Sequence, residues 1–106
     1  MNLPDILKQY FDAANRFDID GAAECFTTDA LVHDEEQNHH GREAIRAWII
    51  DTTEKYHPRI EITDADCTTQ PATVSASISG TFPGSPAKLN FAFTLSSGKI
   101  SRLSIQ

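Results

Sequence analysis

The sequence predicts an α+β domain in which helices cover one face of an antiparallel sheet. Three observations lead there: two are that apolar residues recur at helical spacing as far as Pro58 and that from Ile60 onward they alternate at a period of two. The third is length, because 106 residues fit one domain and cores split only well beyond that size. Residues 1–106 are therefore expected to form a single domain without linkers, internal repeats or low-complexity segments.

Leu3, Ile6, Leu7, Tyr10, Ala14 and Phe17 share one helical face, which predicts an amphipathic helix over residues 3–17. Pro4 sits in its first turn, where a missing N–H costs nothing. Asp18 or Asp20 can cap a second, short helix whose apolar face is Ala22, Ala23 and Phe26, ending near Thr27. Ala30 to Asp34 is a short strand candidate, and the polar stretch Glu35 to His40 reads as a loop with room for one short pairing. Gly41 breaks the chain before a third helix, Arg42 to about Tyr56, striped by Ala44, Ile45, Trp48, Ile49 and Thr52. Pro58 ends it.

Beyond Pro58, Ile60 and Ile62 alternate with charged residues. Val74, Ala76, Ile78, Gly80 and Phe82 alternate with Thr73, Ser75, Ser77, Ser79 and Thr81, and Leu89, Phe91, Phe93 and Leu95 continue the pattern. Ile100 to Ile105 supplies one more strand. Turn signals at Gln70-Pro71, Pro83-Gly84-Ser85-Pro86 and Ser97-Gly98 separate these runs into an antiparallel meander. A strongly curved sheet of four to six strands, wrapped round the first helix and covered by three N-terminal helices, would form an open cone. The Ser/Thr row from Thr73 to Thr81 is expected on its convex face, where small side chains let a second sheet approach.

Charge is distributed unevenly. All fifteen Asp and Glu lie between Asp5 and Asp66, so that stretch carries −9, whereas residues 67–106 hold only Lys88, Lys99 and Arg102 and carry +3. Any catalytic carboxylate must come from the first two-thirds of the chain. A pI near 5.0 without a basic stripe argues against nucleic acid and against an anionic membrane surface. No apolar run approaches a membrane span, and the N-terminus lacks the layout of a signal peptide, so a cytoplasmic setting is expected.

Few residues could carry chemistry. Tyr10 lies on the apolar stripe of the first helix, either as a donor in a cavity or as a core Tyr whose hydroxyl reaches the surface. Asp34 shares its strand face with Val32: facing inward it is a desolvated base, facing outward it merely opens the acidic loop Asp34-Glu35-Glu36. His33, His39 and His40 match no established ligand spacing, so no metal is expected. Cys25 and Cys67 are isolated and read as small hydrophobes without a disulfide. No G-x-S-x-G, P-loop, G-x-G-x-x-G or H-E-x-x-H occurs.

Tyr10 to Asp20, then Phe26-Thr27-Thr28-Asp29-Ala30-Leu31-Val32-His33-Asp34 and Gly41-Arg42-Glu43-Ala44-Ile45, resemble the nuclear transport factor 2-like superfamily, nearest its SnoaL-like and ketosteroid-isomerase-like branches. The resemblance implies a cone with a deep, mostly apolar pocket, and usually a homodimer. It implies that Tyr10 donates a hydrogen bond to a substrate carbonyl and that Asp34 shuttles a proton, with pocket walls from Val32, Trp48, Phe82, Phe91 and Phe93. The isomerase branch adds a protonated Asp on a late strand; here Phe93 takes that strand position and no late carboxylate exists. The expected function is a cofactor-independent isomerase, polyketide-cyclase-like enzyme or dehydratase acting on a small apolar carbonyl compound. Its rivals are a non-catalytic binder of a small hydrophobic ligand and a dimeric protein-interaction module.

Overall fold

The computed structural model describes residues 3–106. Helix α1 spans Asp5–Asn15, α2 Ile19–Ala23 and α3 Arg42–Tyr56; strands β1 to β6 span Phe26–Asp34, Gln37–His40, Arg59–Asp66, Ala72–Ser79, Ala87–Ser96 and Lys99–Ile105. The domain is α+β, as its two hydrophobic periods predict.

The six strands form one open, curved sheet in the order β2-β1-β6-β5-β4-β3. It is mixed rather than wholly antiparallel, because β1 and β6 pair in parallel while every other neighbour is antiparallel. The reason is the path of the chain. After the β1–β2 hairpin, α3 carries it to the far edge of the sheet, and the meander from β3 returns until β6 lies beside β1. Register shifts between Phe26 and Leu31, Ile62 and Asp64, and Thr94 and Leu95 mark bulges that add to the curvature.

Three boundaries differ from expectation. The helix expected to run to Thr27 ends at Ala23, and β1 begins at Phe26 because Phe26 pairs with Ile100 and β-branched Thr27 and Thr28 extend the strand. Helix α1 stops before Phe17: Phe17 N–H bonds to the Ala14 carbonyl and Asp18 N–H to the Ala13 carbonyl, closing the helix with Phe17 at φ 57°. Strand β4 ends at Ser79, so Thr81 leaves the Ser/Thr row and instead bonds the Tyr56 and Lys55 carbonyls. Gly80 permits that close approach, since a Cβ there would overlap the Tyr56 carbonyl oxygen. The other four members of the row alternate with buried Ala72, Val74, Ala76 and Ile78 and face the convex side.

The core lies between helices and concave face. Leu7, Tyr10, Phe11 and Ala13 of α1 pack with Phe26, Val32, Phe91, Phe93 and Leu103 of the sheet, joined by Ile45, Trp48 and Ile49 of α3. The rings meet edge to face at 5.2 Å for Tyr10–Phe11, 5.5 Å for Tyr10–Phe26 and 5.5 Å for Phe11–Phe91, each pair adding about 0.5–1.5 kcal/mol beyond area burial. At the end of α1 the Asn15 amide clamps the edge strand β3, accepting from Ile60 N–H at 2.7 Å and donating to its carbonyl at 3.0 Å. No described helix is long and apolar enough to cross a membrane.

Candidate active site

Asp34 is the last residue of β1, two positions beyond fully buried Val32, and so shares its inward face. Helix α3 crosses above it and brings Trp48, whose indole N–H donates to Asp34 Oδ2 at 3.1 Å. The ring of His39, from β2, lies 6.0 Å from that of Trp48 on a tilted plane. Tyr10 reaches the same region from α1. It is 4% exposed, wedged edge-on against Phe11, Phe26 and Phe93.

Tyr10 and Asp34 line one cavity of about 510 Å³, a size suited to a small molecule. Its walls are Ala13, Ala14 and Phe17 after α1, Trp48, Ile49, Thr52, Thr53 and Tyr56 of α3, and Ile60, Ile78, Leu89, Phe91 and Ile105 of the sheet. At the mouth Tyr56 O–H donates to the Glu35 carboxylate at 3.2 and 3.4 Å, and the Tyr56 ring meets Phe82 edge to face at 5.7 Å. Phe82 and Pro83 come from the loop after β4.

Burial pushes the Asp34 carboxyl above the ordinary carboxylate value, the Trp48 hydrogen bond opposes that, and the charge of Glu35 adds to it. Burial also raises the Tyr10 phenol, helped by the Asp34 charge. The phenol is therefore neutral at physiological pH and able to donate. Among the described residues its hydroxyl has no hydrogen-bond partner, yet it is not sealed from the cavity.

Tyr10, Asp34, Trp48, Phe82 and Phe91 thus line one chamber. Val32 and Phe93 do not reach it: both are fully buried beneath the floor, where Phe93 stacks on Phe91 at 6.1 Å and supports Tyr10 at 5.9 Å. On the late strands, Leu89, Phe91 and Ile105 face the cavity, all apolar. Sequence reasoning misses Tyr56, Glu35 and Phe17. Tyr56 had a signal, since it lies one and two helical turns beyond Thr52 and Trp48 on the same stripe. Glu35 had none: it enters through a two-residue turn with φ 52° at Glu35 and 63° at Glu36, lacking the usual glycine. His33 Nδ1 pairs with Asn38 Oδ1 at 2.7 Å, and no described group of three or more His, Cys, Asp or Glu could hold a metal ion.

A curved sheet closed by helices over an apolar chamber, with an acid and a phenol on its walls, is the architecture of the nuclear transport factor 2-like class. Within that class the chain belongs to the SnoaL-like domain family, whose model matches residues 7–103. It is similar to a candidate polyketide cyclase from Sinorhizobium meliloti, 40% identical with a TM-score of 0.94, covering 98% of this chain and 95% of that one. A Catenulispora acidiphila protein with a ketosteroid-isomerase-like fold, in complex with trimethylamine, is 19% identical with a TM-score of 0.86 over 99% of this chain and 86% of that one. The epoxide hydrolase/cyclase-like enzyme SalBIII of salinomycin pyran-ring formation is 22% identical with a TM-score of 0.76 over 95% and 86%. No curated protein matches.

Proposed function

We propose that the protein is a cofactor-independent isomerase, cyclase or dehydratase acting on a small, mostly apolar carbonyl compound. The observation that carries this reading is the unpartnered Tyr10 hydroxyl facing the same apolar chamber as the Trp48-anchored Asp34 carboxylate. The Asp34 carboxylate takes a proton from the carbon beside the carbonyl, and the C–H electron pair moves onto the carbonyl oxygen. Tyr10 O–H donates to the enolate that results. The protonated Asp34 then returns its proton to another carbon, completing an isomerisation, or to a departing hydroxyl, completing a dehydration. In a cyclisation the enolate carbon instead attacks a second carbonyl, whose π pair moves onto its oxygen, and that alkoxide takes the proton from Asp34.

A positioned base contributes about 10²–10⁴ in rate and one oxyanion donor about 10²–10³, so the pair suffices for an activated carbon acid without a second donor. The likeness to the Sinorhizobium candidate cyclase supports the same reaction class. The test is exchange of α-protons in deuterated water, followed by proton NMR, over a panel of small enones and hydroxyketones. Wild-type protein is expected to accelerate exchange on at least one, Asp34→Asn to lose about 10²–10⁴ of it and Tyr10→Phe about 10²–10³. Equal exchange in the Asp34→Asn protein would remove Asp34 from the mechanism. The same family reading extends to a homodimer formed through the convex sheet face, with Ser75 and Ser77 near its centre.

A further inference from the structure

The charges around the cavity are all of one sign. Asp18, Asp34 and Glu35 line it, and among the described residues no Lys, Arg or His does. Asp18 is already engaged, paired with Arg16 at 3.4 Å and accepting from Gly21 N–H at 3.0 Å. Asp34 and Glu35 have no salt bridge among the described residues: Asp34 accepts from the Trp48 indole and the Glu35 backbone N–H, and Glu35 from the Tyr56 phenol. Two cationic groups act on these carboxylates from outside the lining: Lys55, whose Nζ lies over the Tyr56 ring at 5.1 Å from its centroid, interacts with Glu35, and His39, beside Trp48, with Asp34.

We propose, building on the function above, that the carbonyl substrate also carries a protonated amine, which the mouth of the cavity seats against Glu35 and the rings of Tyr56, Phe82 and Trp48. Two carboxylates with no cationic counterpart in a half-enclosed, apolar chamber create a negative potential that a cation relieves and an anion worsens. Aromatic faces add their own attraction for ammonium groups. The arrangement also orients the molecule. With its amine at Glu35 by the rim, its carbonyl points toward the unpartnered Tyr10 hydroxyl on the buried wall and passes Asp34 between them.

The test uses three ligands of one skeleton: 2-phenylethylammonium, 2-phenylethanol and phenylacetate. Trp48, the single Trp of the chain and part of the cavity wall, reports binding by its fluorescence. The ammonium is expected to bind at least about ten-fold tighter than the alcohol and the carboxylate at least about ten-fold weaker. In Glu35→Gln, checked for native circular dichroism, the advantage of the ammonium should fall to about three-fold or less while the alcohol keeps its affinity. Carboxylate binding equal to ammonium binding overturns the proposal, as does an ammonium advantage that survives Glu35→Gln, or no response from any of the three. None of these ligands undergoes the proposed reaction. A charge preference that holds while proton exchange fails would therefore reject the mechanism and keep the ligand class, and the converse result would do the opposite.

Discussion

Asp34 must be anionic to take a proton and poorly solvated to be a strong base, two demands that oppose each other. Burial supplies the second, and the Trp48 indole N–H holds the first within reach by favouring the ionised form. Trp48→Phe keeps an aromatic wall but removes the donor, so the Asp34 carboxyl should rise further. The acid limb of the exchange rate against pH is then expected to move to higher pH; a limb that stays in place would deny Trp48 that role. Stability follows the same sign. A carboxyl raised in the folded state binds its proton more tightly there than when unfolded. Its favourable contribution is present in acid and is lost as pH rises through the folded value. At neutral pH ionised Asp34 thus opposes folding, and Asp34→Asn should melt above the wild type there. The two should converge below the ordinary carboxylate value of 3.8, as calorimetry across that range would show. An equal or lower neutral melting temperature would mean that the carboxylate is not desolvated.

The end of α1 is where fold and site compete most visibly among the elements. The closing position of such a helix suits glycine, yet Phe17 occupies it at φ 57° and is 44% exposed at the cavity mouth. Phe17→Gly is expected to raise stability by about 1 kcal/mol through loss of the left-handed penalty, and to weaken ligand binding by removing a wall. Chemical denaturation paired with Trp48 fluorescence titration measures both; a loss of stability would mean that the ring contributes more by packing than the backbone loses. Helices α1 and α3 and the meander were legible because each buries one face, which writes its period into the sequence. Those periods left Tyr10 and Asp34 each with an inward and an outward reading, and it was the resemblance to the nuclear transport factor 2-like superfamily that singled them out. The start of β1 was not legible, since Cys25-Phe26-Thr27 continues the apolar face of α2 and only pairing with Ile100 makes Phe26 a strand residue. Nor was the Glu35-Glu36 turn, whose left-handed backbone falls on residues that rarely adopt it. Val32 and Phe93 were assigned to the chamber because alternation separates inward from outward but not floor from wall.

On the scale of the whole molecule, the convex sheet face carries small side chains along β4, where Thr73 pairs with Ala92 and Ser75 with Asn90, while Ser77 lies between Glu61 and Lys88. The Ser75 hydroxyl donates to Asn90 Oδ1 at 3.0 Å. Sedimentation velocity at micromolar concentration is expected to give a dimer, and Ser75→Lys a monomer with its cavity intact; a monomeric wild type would reject the assembly. The sheet order has a different consequence, one of timing. Strand β6, Lys99–Ile105, is the last element of the chain and lies inside the sheet, the one strand that joins the β1–β2 hairpin to the β3–β5 meander. The two halves of the chamber, Asp34 on one and Phe91 on the other, are joined within the sheet only when β6 pairs with both β1 and β5. Until then the facing edges of β1 and β5 stay unpaired and open to wrong partners. The sheet and its cavity are thus completed together, and the folding rate should be set by bringing Phe26 and Ile100 together across 74 residues.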